Sequence, residues 1–205
     1  EWSFTFPVEI PDGTHEFIIS AIDAAGNEAT ASQQVVIDTV NDFSVSLTGL
    51  TDSGMLGDWV TNIDRPIFVF KHEAGSTIEI TLNGITYEVD ANESSPTNYQ
   101  LPISLTEGVH HLTFVSIDVA GNRSEIEQEV IIDLTPPQFT WLGLSDESNT
   151  GDITDNVTAV TNPIFVGRGE IGATILVEID GFTYSTKVDD SGRWSLSVSN
   201  NLSDG

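Results

Sequence analysis

The chain repeats itself, and a repeat of this length restricts it to a row of similar small modules. Gly13, Asp23, Gly26, Asn27 and Asp38 recur as Gly108, Asp118, Gly121, Asn122 and Asp133, each 95 residues later. Leu47 to Asp52 returns as Trp141 to Asp146, and Gly57-Asp58 as Gly151-Asp152, at a spacing of 94. Pro66 to Val69 matches Pro163 to Val166, Gly84 matches Gly181 and Tyr87 matches Tyr184, at 97. The drift in spacing puts insertions in loops. Trp194 to Gly205 is spaced like Trp2 to Gly13, so the chain reads as an excerpt from something longer. The expected organisation is the C-terminal part of one module over 1–39, a complete module over 40–134 and the N-terminal part of a third over 135–205.

Within the complete module, apolar residues alternate with polar ones at the period of half-buried strands. Phe43 to Leu50 reads as strand A, and Pro66 to Lys71 as strand B after a long polar loop. Thr77 to Leu82 and Ile85 to Val89 flank Asn83-Gly84, a pair that favours a two-residue hairpin because both turn positions need positive φ. These are strands C and C′. Tyr99 to Leu105 is strand E, Val109 to Asp118 is F and Ser124 to Ile132 is G. Leu112 and Phe114 share one face of F, as Phe17 and Ile19 do in the first module. Val130 and Ile132 share one face of G, as Val35 and Ile37 do, while Glu125, Glu127 and Glu129 point the other way. The expected fold is all-β: tandem immunoglobulin-like antiparallel β-sandwich modules in a linear rod.

The balance of 32 Asp and Glu against 6 Lys and Arg, a formal charge of −26, argues against nucleic acid and anionic membranes as partners. Hard cations are the natural counter-species, because clustered carboxylates destabilise a compact state unless a divalent ion binds between them. There is no cysteine, which excludes disulfides and thiolate metal sites. No apolar run reaches the roughly 20 residues of a membrane span.

The turn Asp118-Val119-Ala120-Gly121-Asn122, the linker Ile132-Asp133-Leu134-Thr135-Pro136-Pro137, the Gly57-Asp58 loop and the turn Asp189-Asp190-Ser191-Gly192-Arg193-Trp194 resemble bacterial Ig-like domains over the whole chain. That resemblance implies tandem modules of giant, non-fimbrial, type I-secreted adhesins on the bacterial surface, with calcium at the module junctions stiffening a stalk. It further implies neighbouring Ig-like modules as partners in the same chain, and a host-cell surface or glycan reached through the parent protein. Neither membrane insertion nor self-association is expected. Two departures stand out. In the middle module Asp90 to Pro96 replaces the Asp-x-x-Gly-x-Trp turn, and the first linker, Asp38-Thr39-Val40-Asn41-Asp42, lacks proline; from the linker, the two junctions should differ in geometry.

Strand direction sorts the acids. The A–B loop, E–F turn and exit linker of one module should meet the B–C and F–G turns of the next. The first junction gathers Asp12 and Asp38 with Glu73, Asp118 and Asn122; the second gathers Asp52, Asp58, Glu107 and Asp133 with Glu170. Asp146 and Asp152 repeat Asp52 and Asp58 in the third module. Calcium takes 6–8 oxygens at about 2.3–2.6 Å from mobile loops, whereas magnesium demands a more rigid octahedron. The same Asp and Asn residues also make good turns with no metal, by capping their own backbone. The copy at Asp23 to Asn27, without a preceding module here, should bind metal poorly.

Other signals are weaker. His15 and His110 occupy one core-facing position and suit a structural role; His111 faces outward and His72 lies in a turn. His-Glu-x-x-His and Gly-x-Ser-x-Gly are absent, so no enzyme signature appears. Trp2 and Trp194 read as core. Trp59 and Trp141, if exposed, offer stacking faces for a sugar, which is the competing reading of a carbohydrate- or receptor-binding module. An accessory domain of a secreted polysaccharide hydrolase is a third. The sequons at Asn92, Asn122 and Asn156 carry little weight.

Overall fold

A computed structural model describes residues 3–91 and 95–203, with the side chain of Trp141 left aside. Trp2, the sequon at Asn92 and Asp204-Gly205 therefore lie outside the described residues. The chain divides into two compact units, Glu1–Leu134 and Thr135–Gly205. No helix occurs among the described residues.

The first unit opens with a hairpin of β1 (Gly13–Ile22) and β2 (Glu28–Ile37), antiparallel over the full length of both strands. The sandwich that follows has two sheets. One is three-stranded, in the order β3 (Ser44–Leu47), β5 (Ile67–Lys71), β8 (Thr97–Gln100). The other runs β4 (Val60–Thr61), β10 (Arg123–Ile132), β9 (Gly108–Ile117), β6 (Thr77–Leu82), β7 (Ile85–Val89). Alternation delivers the core: Phe68 and Phe70 from β5 face Ile78, Ile80 and Leu82 from β6, Leu112 and Phe114 from β9, and Val130 and Ile132 from β10. The Phe114 ring sits 5.3 Å from Phe68 and 5.7 Å from Phe70. Each such side chain is worth roughly 1.5–3 kcal/mol of apolar burial.

The C–C′ and F–G hairpins form where the sequence puts them. Asn83 and Gly84 have φ of 52° and 77°. Gly84→Ala should therefore cost about 1 kcal/mol, because a Cβ is strained in that region; chemical denaturation reads the loss, and an unchanged midpoint would contradict this turn geometry.

Three expectations needed correction. Strand A ends at Leu47, because Thr48 O accepts the N–H groups of Thr51 and Asp52 and turns the chain. Strand E runs over Thr97–Gln100 instead of Tyr99 to Leu105: Pro102 has no N–H for a ladder, and the Arg65 guanidinium donates to Leu101 O at 3.0 Å. The polar A–B loop contains β4, a two-residue strand pairing parallel with Ile131 and Ile132. Trp59, just before it, is half-buried against the core.

The second unit carries a sheet of β11 (Phe139–Leu144), β12 (Ile164–Gly169) and β15 (Arg193–Ser197), with a hairpin of β13 (Thr174–Ile179) and β14 (Phe182–Lys187). Ile175, Val188, Trp194, Leu196 and Val198 form its core.

Candidate metal centre

The F–G turn is built by Asp118. Its Oδ1 accepts the N–H of Gly121 at 2.7 Å and of Asn122 at 2.8 Å, and its Oδ2 accepts the Asn122 side-chain amide at 2.9 Å. Gly121 takes φ of 95°, which a Cβ would oppose. Asp118 is only 5% exposed, and that burial raises its carboxyl; the hydrogen bonds from Asn122, Gly121 and Ala120 outweigh it and hold the group below the ordinary aspartate range. The copy at Asp23 makes a similar turn, accepting the N–H groups of Ala25 and Asn27 and the Asn27 side-chain amide, and is likewise lowered, chiefly by the Asn27 side chain. Both carboxylates are ionised at neutral pH.

The linker is stitched to this turn. Asn41, 8% exposed, donates through Nδ2 to Ser116 O and Asn122 O, both at 2.9 Å, while its own carbonyl accepts the Ser124 hydroxyl at 2.8 Å. Asn122 donates back to Asp38 O at 3.1 Å. The B–C turn closes the third side. Glu73 Oε1 accepts the Asp42 N–H at 2.7 Å, and buried His72 holds the turn through Glu73 O and the Thr97 hydroxyl.

Three segments thus bring Asp38, Glu73 and Asp118 together, each with one carboxylate oxygen within 4.8 Å of the others. Two ligands of one calcium ion, each at 2.3–2.6 Å, lie no more than about 5 Å apart, so this spread fits a single ion. Neither ion pair among the described residues, His111 with Glu129 and Arg123 with Glu125, offers these carboxylates a cation. The donor set suits a hard divalent cation, with three of its oxygens supplied by protein carboxylates.

Asn122 has a different role from the one expected. Its amide nitrogen faces Asp118 and the Asp38 carbonyl, so it orients two partners of the cluster through N–H groups and presents no oxygen there. Asp12 stands outside the cluster, its carboxylate accepting the hydroxyl and N–H of Thr39 at 2.9 and 3.3 Å. Asp52 Oδ2 accepts the Gly57 N–H at 2.6 Å and Asp58 Oδ1 the Val60 N–H at 2.9 Å, so both order the A–B loop. Asp133 donates its N–H to Thr61 O, and Glu107 lies in the exposed E–F turn. Asp152 accepts from the hydroxyl and N–H of Thr154, which lower its carboxyl; Asp146 and Glu170 are exposed. Among the described residues, no other three acids converge as Asp38, Glu73 and Asp118 do.

The residues sequence reading missed are Asn41, Ser116, Ser124 and the supporting His72. One sign of Asn41 was visible, since it sits in the linker that lacks proline. His15 and His110 each hydrogen-bond a turn carbonyl, Pro11 O and Thr106 O, at 2.7 Å.

A family model described as bacterial Ig-like domain matches residues 1–39, 39–134 and 135–205. Similar solved structures include a tetra-tandem repeat in the extending region of a large adhesion protein, 19% identical, covering 93% of this chain and 48% of that one with a TM-score of 0.38. A 1.5-MDa bacterial ice-binding adhesin studied for host cell surface retention is 22% identical, over 92% and 64%, at 0.31. A Ca2+-stabilized adhesin by which an Antarctic bacterium reaches out and binds ice is 21% identical, over 90% and 48%, at 0.31. The chain spans about half the length of the first of these, 48%. No curated protein matches it.

Proposed function

We propose, from the premise that this chain belongs to the bacterial Ig-like domain family, that it is a non-catalytic stalk segment of a bacterial cell-surface adhesin whose module junction is stiffened by calcium. The observation that carries the reading is the convergence of Asp38 from the linker, Glu73 from the B–C turn and Asp118 from the F–G turn. Asp38, Glu73 and Asp118 would hold the ion. Calcium supplies the positive charge that offsets three like charges, and so ties the linker to two turns of the following module. Asn122 keeps the Asp118 carboxylate aimed at the cluster, and Asn41 keeps the linker close enough for Asp38 to reach it.

The boundaries at 1–39, 40–134 and 135–205 follow the same reading, as does an extracellular setting where calcium is available. The sugar-stacking alternative loses one of its two tryptophans, because Trp59 packs against the core.

Small-angle scattering of the whole chain tests the proposal. With calcium the maximum dimension should be larger and the distance distribution narrower than with chelator. Identical profiles in the two conditions would remove the stiffening role.

A further inference from the structure

Only 6 Lys and Arg face 32 carboxylates in this chain, yet three of the six line one cleft, Arg168 and Arg193 from the β11–β12–β15 sheet and Lys187 from the end of β14. Arg168, Lys187 and Arg193 line a cavity of about 540 Å3 in the second unit, together with Val166, Ser195 and Asp146 among others. Strand alternation sets this face. Phe165 of β12 and Trp194 and Leu196 of β15 belong to the core, so Val166, Arg168, Arg193 and Ser195 point away from it. Arg168 and Arg193 stand directly opposite one another in the ladder, an arrangement that like charges disfavour. The ion pairs His111–Glu129 and Arg123–Glu125 involve none of the three, and of the three Arg193 interacts electrostatically with Asp189 in the same cleft. Asp189 also lines the cavity, but its Oδ1 already accepts the N–H groups of Ser191 and Arg193 and the Ser191 hydroxyl.

The repeat supplies an internal control. At the matching positions, 97 residues earlier, the complete module carries Lys71, Asp90 and Pro96. A cation cluster required by the fold would recur; this one does not. We propose that the cleft is an anion subsite for an acidic sugar, which places its carboxylate or sulfate between the two guanidinium groups and the Lys187 ammonium. Guanidinium groups pair oxyanions bidentately, and a concave cleft of this size suits a sugar ring better than a flat protein surface. The −26 charge of the chain does not forbid it, since repulsion is screened beyond about 8 Å at physiological ionic strength, and within the cleft three cations stand against the two carboxylates Asp146 and Asp189.

The test is an amide-resolved NMR titration of the full chain in chelator with glucuronate, glucose and inorganic sulfate, which separates this site from the calcium centre. Glucuronate should perturb residues 166–168, 187 and 193–195, weakening as salt rises, while glucose leaves them unmoved. The double variant Arg168→Gln/Arg193→Gln should lose at least tenfold in affinity with no fall in unfolding midpoint. Tighter binding of an oligouronate than of the monomer would identify a polysaccharide as the source, and equal binding a free sugar acid; both support the subsite. It is overturned if glucuronate leaves these amides unmoved, if its affinity survives the double substitution, or if glucose or bare sulfate binds as well.

Discussion

Calcium added to the chelated chain is expected to raise the unfolding midpoint of the Glu1–Leu134 unit by about 10 °C at a roughly hundredfold excess over its dissociation constant. An ion that binds only the folded state at that excess contributes about 2.7 kcal/mol, and each kcal/mol moves a unit of this size by about 4 °C. The informative variant is Asp38→Asn/Glu73→Gln. Both substitutions keep the oxygens that accept from Val40 and Asp42, and both remove a negative charge from the cluster. The variant should therefore be at least as stable as the parent in chelator, because repulsion with Asp118 is relieved, and should lose most of the calcium shift. Calorimetry of parent and variant, each with and without calcium, gives all four midpoints. A calcium shift of the same size in both would mean that the ion binds elsewhere.

The parts of this fold that the sequence discloses are those with local causes. Asn83-Gly84 and Asp118 to Asn122 dictate their turns from residues at most four apart, so the C–C′ and F–G hairpins could be placed with their register. Strand β4 could not, because two residues carry no period and their pairing with Ile131 and Ile132 joins segments some 70 residues apart. The site divides in the same way. Strand direction put the linker, the B–C turn and the F–G turn at one end, and Asp38, Glu73 and Asp118 meet there. It could not say that Asp12 would turn to Thr39, or that the amide of Asn122 would present nitrogen. Those outcomes depend on side-chain rotamers, which follow from hydrogen-bond competition and leave no periodic trace.

Asn41→Ala should cost about 2–3 kcal/mol, although the residue carries no charge and lies outside the acid cluster. Its buried amide serves Ser116 O, Ser116 Oγ and Asn122 O; truncation removes that donor from both buried Ser116 oxygens and leaves Asn122 O with the Asp118 N–H alone. An orphaned buried polar group costs about 1–3 kcal/mol, and here more than one is affected. The structural consequence should exceed the thermodynamic one, since Asn41 is what holds the linker to the F–G turn whether or not a metal is bound. In chelator the parent keeps that tether against carboxylate repulsion, whereas the variant loses it and its scattering profile should broaden further. With calcium the two profiles should approach each other, because an ion held by Asp38, Glu73 and Asp118, as proposed, would bridge the same segments. Asn41→Asp sharpens the contrast: it removes the two N–H donors and adds a negative charge beside the F–G turn, so it should loosen the chelated junction more than alanine does. If neither substitution changes the chelated profile, Asn41 does not hold the linker, and the order of the junction rests on the Asp38 carbonyl and Glu73 contacts alone.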